Sequence, residues 1–215
     1  MKIVQCWDDG VVDDVRLIEI LRKYGAKASF NLNIGLHKTQ RYTGWKFQNT
    51  KEVWKLSLDE LTDVYSGFLV ANHTVSHPCL TQVSPERMKK EIVEGRKRLE
   101  QLFGYAVTGF AYPCGDYNSE VEAAVRDAGH LYARTTKSVT PSFPPAEAMA
   151  LHADCHFLDP EFWLKYEKAK SLGSVFYFWG HSYELISEDD WQAFDAKVAR
   201  LSRDGEWANL PDLFR

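Results

Sequence analysis

A short apolar run opens the chain, Ile3-Val4-Gln5-Cys6-Trp7, and its length and composition predict a buried strand. Over residues 11–24 the spacing changes: Val11, Val15, Ile18 and Leu21 fall on one face of a helix. After Gly25, residues 27–33 alternate and predict a second strand. Residues 35–50 are polar, aromatic and without period, and are expected to form a long loop. Ser57 with Glu60 three positions on predicts a capped short helix to about Tyr65, and residues 67–71 a third strand. Ser84-Pro85-Glu86 starts the longest helix, whose face is set by Met88, Ile92, Leu99, Leu102 and Phe103 and whose end is set by Gly104. Residues 107–112 predict a fourth strand; Asn118 or Ser119 caps a helix to Ala128, and residues 131–135 predict a fifth strand. A proline-rich loop at 141–145 leads to a sixth strand at 148–153 and a helix at 160–171. The aromatic run 174–179 predicts a seventh strand. Ser187 caps a last helix to about Leu201, and 207–214 form a short closing segment.

About seven strand-like runs, most followed by a helix, imply a parallel sheet covered by helices. Polar motifs follow the first, third, fourth, sixth and seventh runs. A closed or nearly closed, distorted (β/α) barrel brings all those ends to one rim, whereas an open sheet would spread them apart. With 215 residues, 45% of them hydrophobic, and no repeat or linker, the expectation is one domain over 1–215.

A net charge of −4 with scattered basic residues gives no footprint for nucleic acid. No apolar run reaches membrane-spanning length. The first strand begins at once, with no basic and apolar leader in view, so a cytoplasmic location is expected. Cys6, Cys79, Cys114 and Cys155 form no C-x-x-C and are expected to be reduced, buried, small apolar side chains. No residue pattern marks an oligomer interface.

The chemistry concentrates at strand ends. Asp8-Asp9-Gly10 sets two carboxylates at the mouth of a core strand, which a cation, a metal or a shared proton must neutralise. The plainer alternative is that one of them caps the next helix, although Asp13 and Asp14 already suit its first turn. His73 and His77, four apart and just past the third strand, would share one side if the segment made a helical turn; Pro78 disfavours helix at His77, so a single turn or loop is expected. With a carboxylate they make a common catalytic zinc set with one open position. His181, after the seventh strand, is a ligand, a general acid or base, or a hydrogen-bonded spacer.

Asp-Asp-Gly, then His73-Thr-Val-Ser-His77-Pro, then Tyr112-Pro-Cys-Gly, then Gly180-His181 resemble, in order and spacing over about residues 3–185, the polysaccharide deacetylases (NodB-homology domains, carbohydrate esterase family four). The resemblance implies a distorted (β/α) barrel that removes N- or O-acetyl groups with a divalent metal, most often zinc, with cobalt or nickel as substitutes. It implies Asp9, His73 and His77 as metal ligands, Asp8 as the base that takes a proton from water on the metal, and His181 as the acid that protonates the departing amine. The backbone N–H of Cys114 is a candidate oxyanion donor. With Tyr112, Trp45 and His156 it makes up the expected substrate-facing wall.

Two departures qualify the resemblance. The family's fourth-strand motif begins with an arginine that orients the base, and here that position is Ala111; Arg134, at the end of the next strand, is the candidate replacement. The Asp-rich motif before the last strand is also missing from Leu151-His152-Ala153-Asp154-Cys155-His156. His152 and His156 have no visible third ligand for a second metal. One of them, with Asp154, is expected to line the pocket or buttress His181. The expected substrate is an N-acetylated sugar or oligosaccharide. A ureide or cyclic imide, or a relative that binds metal or carbohydrate without catalysis, are the alternatives.

Overall fold

The computed structural model describes residues 1–214. Eleven strands and six α-helices follow the chain: β1 (Lys2–Asp8), α1 (Asp13–Lys23), β2 (Ser29–Leu32), β3 (Tyr42–Phe47), β4 (Lys51–Lys55), α2 (Leu61–Val64), β5 (Leu69–Asn72), α3 (Pro85–Phe103), β6 (Gly109–Ala111), α4 (Ser119–Asp127), β7 (Tyr132–Ser138), β8 (Leu151–Ala153), β9 (Cys155–His156), α5 (Phe162–Ser171), β10 (Phe176–Gly180), α6 (Glu188–Asp204) and β11 (Glu206–Trp207). The main sheet runs β8-β7-β6-β5-β2-β1-β10-β9, every pair parallel, with β11 added beside β1.

The two ends of this path are the two halves of one run. Only Asp154 separates β8, which pairs with β7, from β9, which pairs with β10. The barrel therefore closes through a single residue. Asp154 N–H donates to Tyr177 O at 2.8 Å, and Tyr177 N–H donates to the Asp154 carboxylate at 2.8 Å, so its backbone and its side chain continue the ladder across the break. Counting β8 and β9 separately gives eight strands where about seven were expected; the extra one is this divided run.

Alternate residues of each strand face opposite ways. Ile3, Trp7, Phe30, Leu32, Phe176 and Phe178 pack outward against α1, α5 and α6, while Val4, Cys6, Tyr132, Ala153 and Tyr177 form a separate inner cluster. Trp7 is fully buried, edge-on to Phe157 (4.9 Å) and Phe194 (5.3 Å), and the alternation carries Asp8 into the barrel mouth above Cys6.

Several sequence expectations need correction. Residues 35–50 are not an unstructured loop: β3 and β4 form an antiparallel hairpin. β3 has no fully buried residue, and in β4 only Val53 and Lys55 turn inward, too short an alternation to mark the ribbon. The helix expected from Ser57 begins at Leu61, because Glu60 turns back to accept from Ser57 N–H and Oγ. Residues 148–150 make a 3₁₀ turn before β8. Asp14 does not sit on the helix surface; it is buried and accepts from Tyr65 Oη (2.6 Å), Ser182 Oγ (2.5 Å) and Val11 N–H (3.2 Å). Two of the cysteines are neither free nor buried apolar groups: Cys79 and Cys114 form a disulfide, while Cys6 and Cys155 are free and buried. No described helix is long and apolar enough to cross a membrane.

Burial pushes the Asp154 carboxyl up to about 6, with one oxygen left without a partner. A carboxyl raised on folding binds its proton more tightly in the folded state. Its contribution is therefore present below about pH 4 and lost as pH rises through about 6. Urea unfolding of Asp154→Asn, whose amide oxygen can still accept from Tyr177, should match wild type at about pH 3.5 and exceed it by about 3 kcal/mol at about pH 7.5. Equal pH dependence in the two proteins would refute this account of the seam.

Candidate active site

The parallel register gathers the strand ends. Asp8 pairs with Asn31, Leu32 with Asn72, Asn72 with Phe110, and Ala111 with Arg134. At this rim Asp8, Asp9, His73, His77, Tyr112, Cys114, Thr136, Trp179, His181 and Tyr183 enclose a cavity of about 230 Å³.

Asp8 is buried and fully partnered. Arg134 Nη2 donates to Oδ2, and Asn31 Nδ2 donates to Oδ1 at 2.6 Å. Burial alone would raise this carboxyl. The Arg134 guanidinium, then His73, His181 and the Asn31 hydrogen bond, hold it well below the usual carboxylate range. Arg134 is itself 1% exposed, lies over the Trp179 ring at 4.6 Å, and keeps its charge through Asp8. It comes from the strand beside Ala111, at the position directly opposite it. Arg134 thus reaches Asp8 from the position facing Ala111.

Asp9 turns the other way. Its φ of 85° is one that side chains rarely adopt, and it is held there by Asn33 Nδ2 donating to Oδ1 (2.9 Å) and by Lys55 Nζ donating to its carbonyl. Lys55 is 1% exposed and also donates to Asn33 Oδ1 at 2.7 Å; burial brings its ammonium down to about 8, partly offset by Asp9 and Asp14. Gly10 follows with φ 66°, and a Cβ there would stand 2.7 Å from His37 Cε1, so only glycine fits.

His73 is buried with Nδ1 at 2.8 Å from Ala111 O. That carbonyl can only accept, so the ring proton stays on Nδ1 and the Nε2 lone pair faces the cavity. Burial, then the neighbouring His77, push the imidazole down to about 4, which keeps it neutral and free to coordinate. His77 has φ 58°, and its N–H donates to Thr74 Oγ1 at 3.0 Å. The loop between the two histidines is pinned from α3: buried Glu91 accepts from the N–H groups of Val75 and Ser76 and from Ser76 Oγ. Gly95 lets Asn72 and Thr74 approach that helix. The donor atoms of Asp9, His73 and His77 lie within 4.8 Å of one another. Two imidazoles and a carboxylate fit a divalent ion.

His181 Nε2 stands 3.9 Å from Asp8 Oδ2 and 4.0 Å from Asp9 Oδ2. Burial lowers this imidazole, but Glu184, Asp8 and Asp9 outweigh it and hold it above its ordinary value. Behind it, Glu184 Oε2 lies 3.2 Å from His181 Nδ1 and 2.9 Å from His156 Nε2. Burial would raise Glu184, and the two imidazoles bring it down to about 2.

The expected residues therefore divide. Asp8, Asp9, His73, His77, Tyr112, Cys114 and His181 share the cavity, with Arg134 beneath Asp8. Trp45 does not line it. It sits on the β3–β4 hairpin, edge-on to Tyr183 at 5.2 Å, in an adjoining cavity of about 370 Å³ that shares Asp9, His77 and Tyr183. His156 does not line it either; it lies behind His181. His152 is apart from both, with Nδ1 2.6 Å from Thr135 Oγ1. Asn31, Asn33, Lys55, Glu91 and Glu184 were not singled out in the sequence. Asn31 and Asn33 carried a signal, polar side chains on the inner face of a core strand, and Glu184 follows His181 by three residues. Lys55 and Glu91 carried none.

With this geometry in view, the comparisons with known proteins agree. The polysaccharide deacetylase profile matches residues 1–133, and the chain belongs to that family. Among solved structures it is similar to the Streptococcus pyogenes deacetylase PplD in complex with acetate, at 25% identity and a TM-score of 0.53 over 68% of this chain and 61% of that one. It also resembles a peptidoglycan N-acetylglucosamine deacetylase, at 16% identity and TM-score 0.60 over 99% and 87% of the two chains. A carbohydrate esterase family four pseudoenzyme from Bacillus anthracis shares the fold at 16% identity and TM-score 0.62, over 100% and 65%. No curated protein matches the chain.

Removing Arg134 leaves Asp8 as a buried charge without a counterion. Arg134→Ala should cost about 3–5 kcal/mol in urea unfolding at pH 7, and adding Asp8→Asn should recover part of that loss. A cost below about 1 kcal/mol would show that the pair is not what keeps Asp8 ionised.

Proposed function

We propose that the chain is a metal-dependent hydrolase that removes an acetyl group from an N-acetylated sugar or oligosaccharide. The observation that carries this reading is the seating of Asp8 on Arg134, ionised, beside the convergent donors of Asp9, His73 and His77 and opposite His181 Nε2. A divalent ion there, zinc before cobalt or nickel, would acidify a water and polarise the acyl oxygen. Asp9 Oδ2 and the Nε2 atoms of His73 and His77 are the atoms that would hold it. Asp8 keeps its charge next to a cationic group and takes the proton of the attacking water. His181, held above its ordinary value, carries a proton at Nε2 toward the amine as the C–N bond breaks. Cys114, at φ 59° on the cavity wall, is in place to offer its N–H to the acyl oxygen.

Ala111 was what favoured a relative without catalysis, and Arg134 on Asp8 removes that ground. The family supports a carbohydrate substrate over a ureide. The Cys79–Cys114 disulfide, on the two loops that carry His77 and Tyr112, favours an oxidising compartment over the expected cytoplasm.

Purified protein should hold one divalent ion per chain by elemental analysis. His73→Ala and Asp9→Ala should lose it and their turnover of N-acetylglucosamine oligomers. A wild type that takes up no zinc, cobalt or nickel sinks the reading. Arg134→Ala should keep its ion yet lose about 100-fold in kcat. Ala111→Arg in that background, which returns the guanidinium to the opposite strand, should restore part of it. Near-normal turnover in Arg134→Ala would exclude the arginine from the mechanism.

A further inference from the structure

Glu184 and His156 lie outside the cavity, yet both bear on His181. Three nitrogens stand around one carboxylate oxygen, Glu184 Oε2: the His181 backbone N–H donates to it at 3.1 Å, His156 Nε2 lies 2.9 Å away, and His181 Nδ1 lies 3.2 Å away without an aligned bond. The far side of His156 is fixed too, since Leu158 N–H donates to its Nδ1 at 3.3 Å. An Nδ1 that accepts leaves the ring proton on Nε2, which suits donation to Glu184. For that reason the set of His156, Glu184 and His181, whose donor atoms also lie within 4.8 Å of one another, is better read as a hydrogen-bonded chain than as a second metal site. The rings pack as well: His156 stands edge-on to Trp179 at 4.8 Å, and His181 lies 5.4 Å from the same indole.

We infer that Glu184 is the positioning residue of the acid, with His156 holding Glu184 in place. The inference rests on the deacetylase reading and deepens it. An acid that must give its proton from Nε2 needs its other nitrogen occupied by a proton and its ring aimed. A carboxylate at Nδ1 supplies both, and it stabilises the imidazolium until the proton leaves. Nδ1 is buried without an aligned hydrogen bond, and Glu184 Oε2 stands 3.2 Å from it. The step balances as follows. The water oxygen bonds to the acyl carbon and its proton goes to Asp8. The C–N bond breaks, the nitrogen takes the His181 Nε2 proton, and acetate and free amine leave. Glu184 changes no bond; it holds the donor on line. The family's Asp-rich motif is absent from this chain, and Glu184 reaches His181 from three residues downstream instead.

The test compares two leaving groups. An amine must be protonated to depart, whereas the phenolate of 4-nitrophenyl acetate leaves without a proton. Glu184→Ala should lower kcat on an N-acetylglucosamine oligomer about 100-fold, with KM and bound metal unchanged, and should leave the aryl acetate rate within about twofold. Glu184→Gln, whose amide oxygen still accepts, should recover part of the loss, and His156→Ala should show the same selective loss at smaller size, about tenfold. Equal losses on both substrates would mean that Glu184 only supports the rim and would overturn the inference. A wild type inert on every N-acetyl substrate would overturn the deacetylase reading itself, a result distinct from either.

Discussion

Two adjacent carboxylates at the end of a core strand cannot both be left in a low-dielectric setting without a positive partner. Asp8 and Asp9 solve this in opposite directions. Asp8 points into the barrel and meets Arg134, while Asp9 is turned by an uncommon φ toward Lys55 and Asn33. Asp8 is paired with the Arg134 guanidinium of β7, and the Asp9 carboxylate is bonded by Asn33 in the field of Lys55 from β4, so the pair is stable only when β1, β2, β4 and β7 are all in register. Closure of the barrel and ionisation of the site are therefore one requirement. The single-residue seam at Asp154 matters for the same reason, because it fixes where β10, and with it His181, stands against β1.

A second constraint is backbone strain. Asp9, Thr74, His77 and Cys114 all have positive φ without being glycine, and all are at the rim. Each is held by something rigid: the Lys55 and Asn33 contacts, the Glu91 carboxylate on α3, or the Cys79–Cys114 bond. Such conformations cost of order 1–3 kcal/mol each and persist only where the surroundings enforce them. The helices outside the barrel thus do more than cover apolar strands; Glu91 and Gly95 of α3 shape the histidine loop directly.

Most strands were legible because they are buried and apolar, and the rim motifs were legible because polar side chains cluster at their ends. The β3–β4 hairpin was not, since β3 buries no residue fully and β4 buries only Val53 and Lys55. The Cys79–Cys114 bond was not, because 35 positions separate the two cysteines and their meeting depends on two loops from different strands. Arg134 was legible as a candidate from its strand-end position, but its contact with Asp8 depends on the register between β6 and β7. Lys55 was hidden most completely, being a charge on an outwardly exposed hairpin whose last residue turns inward.

The facing of Ala111 and Arg134 has an evolutionary consequence. In a closed barrel the interior belongs to no single strand, and neighbouring strands are alternative suppliers of the same lumen. A guanidinium can therefore change its address in the linear chain while keeping its place in space. Arginine at both positions would crowd two cations onto one carboxylate, and arginine at neither would strand a buried charge. The two positions are one step apart around the circumference, so a chain with alanine on the fourth strand can still hold a guanidinium against Asp8.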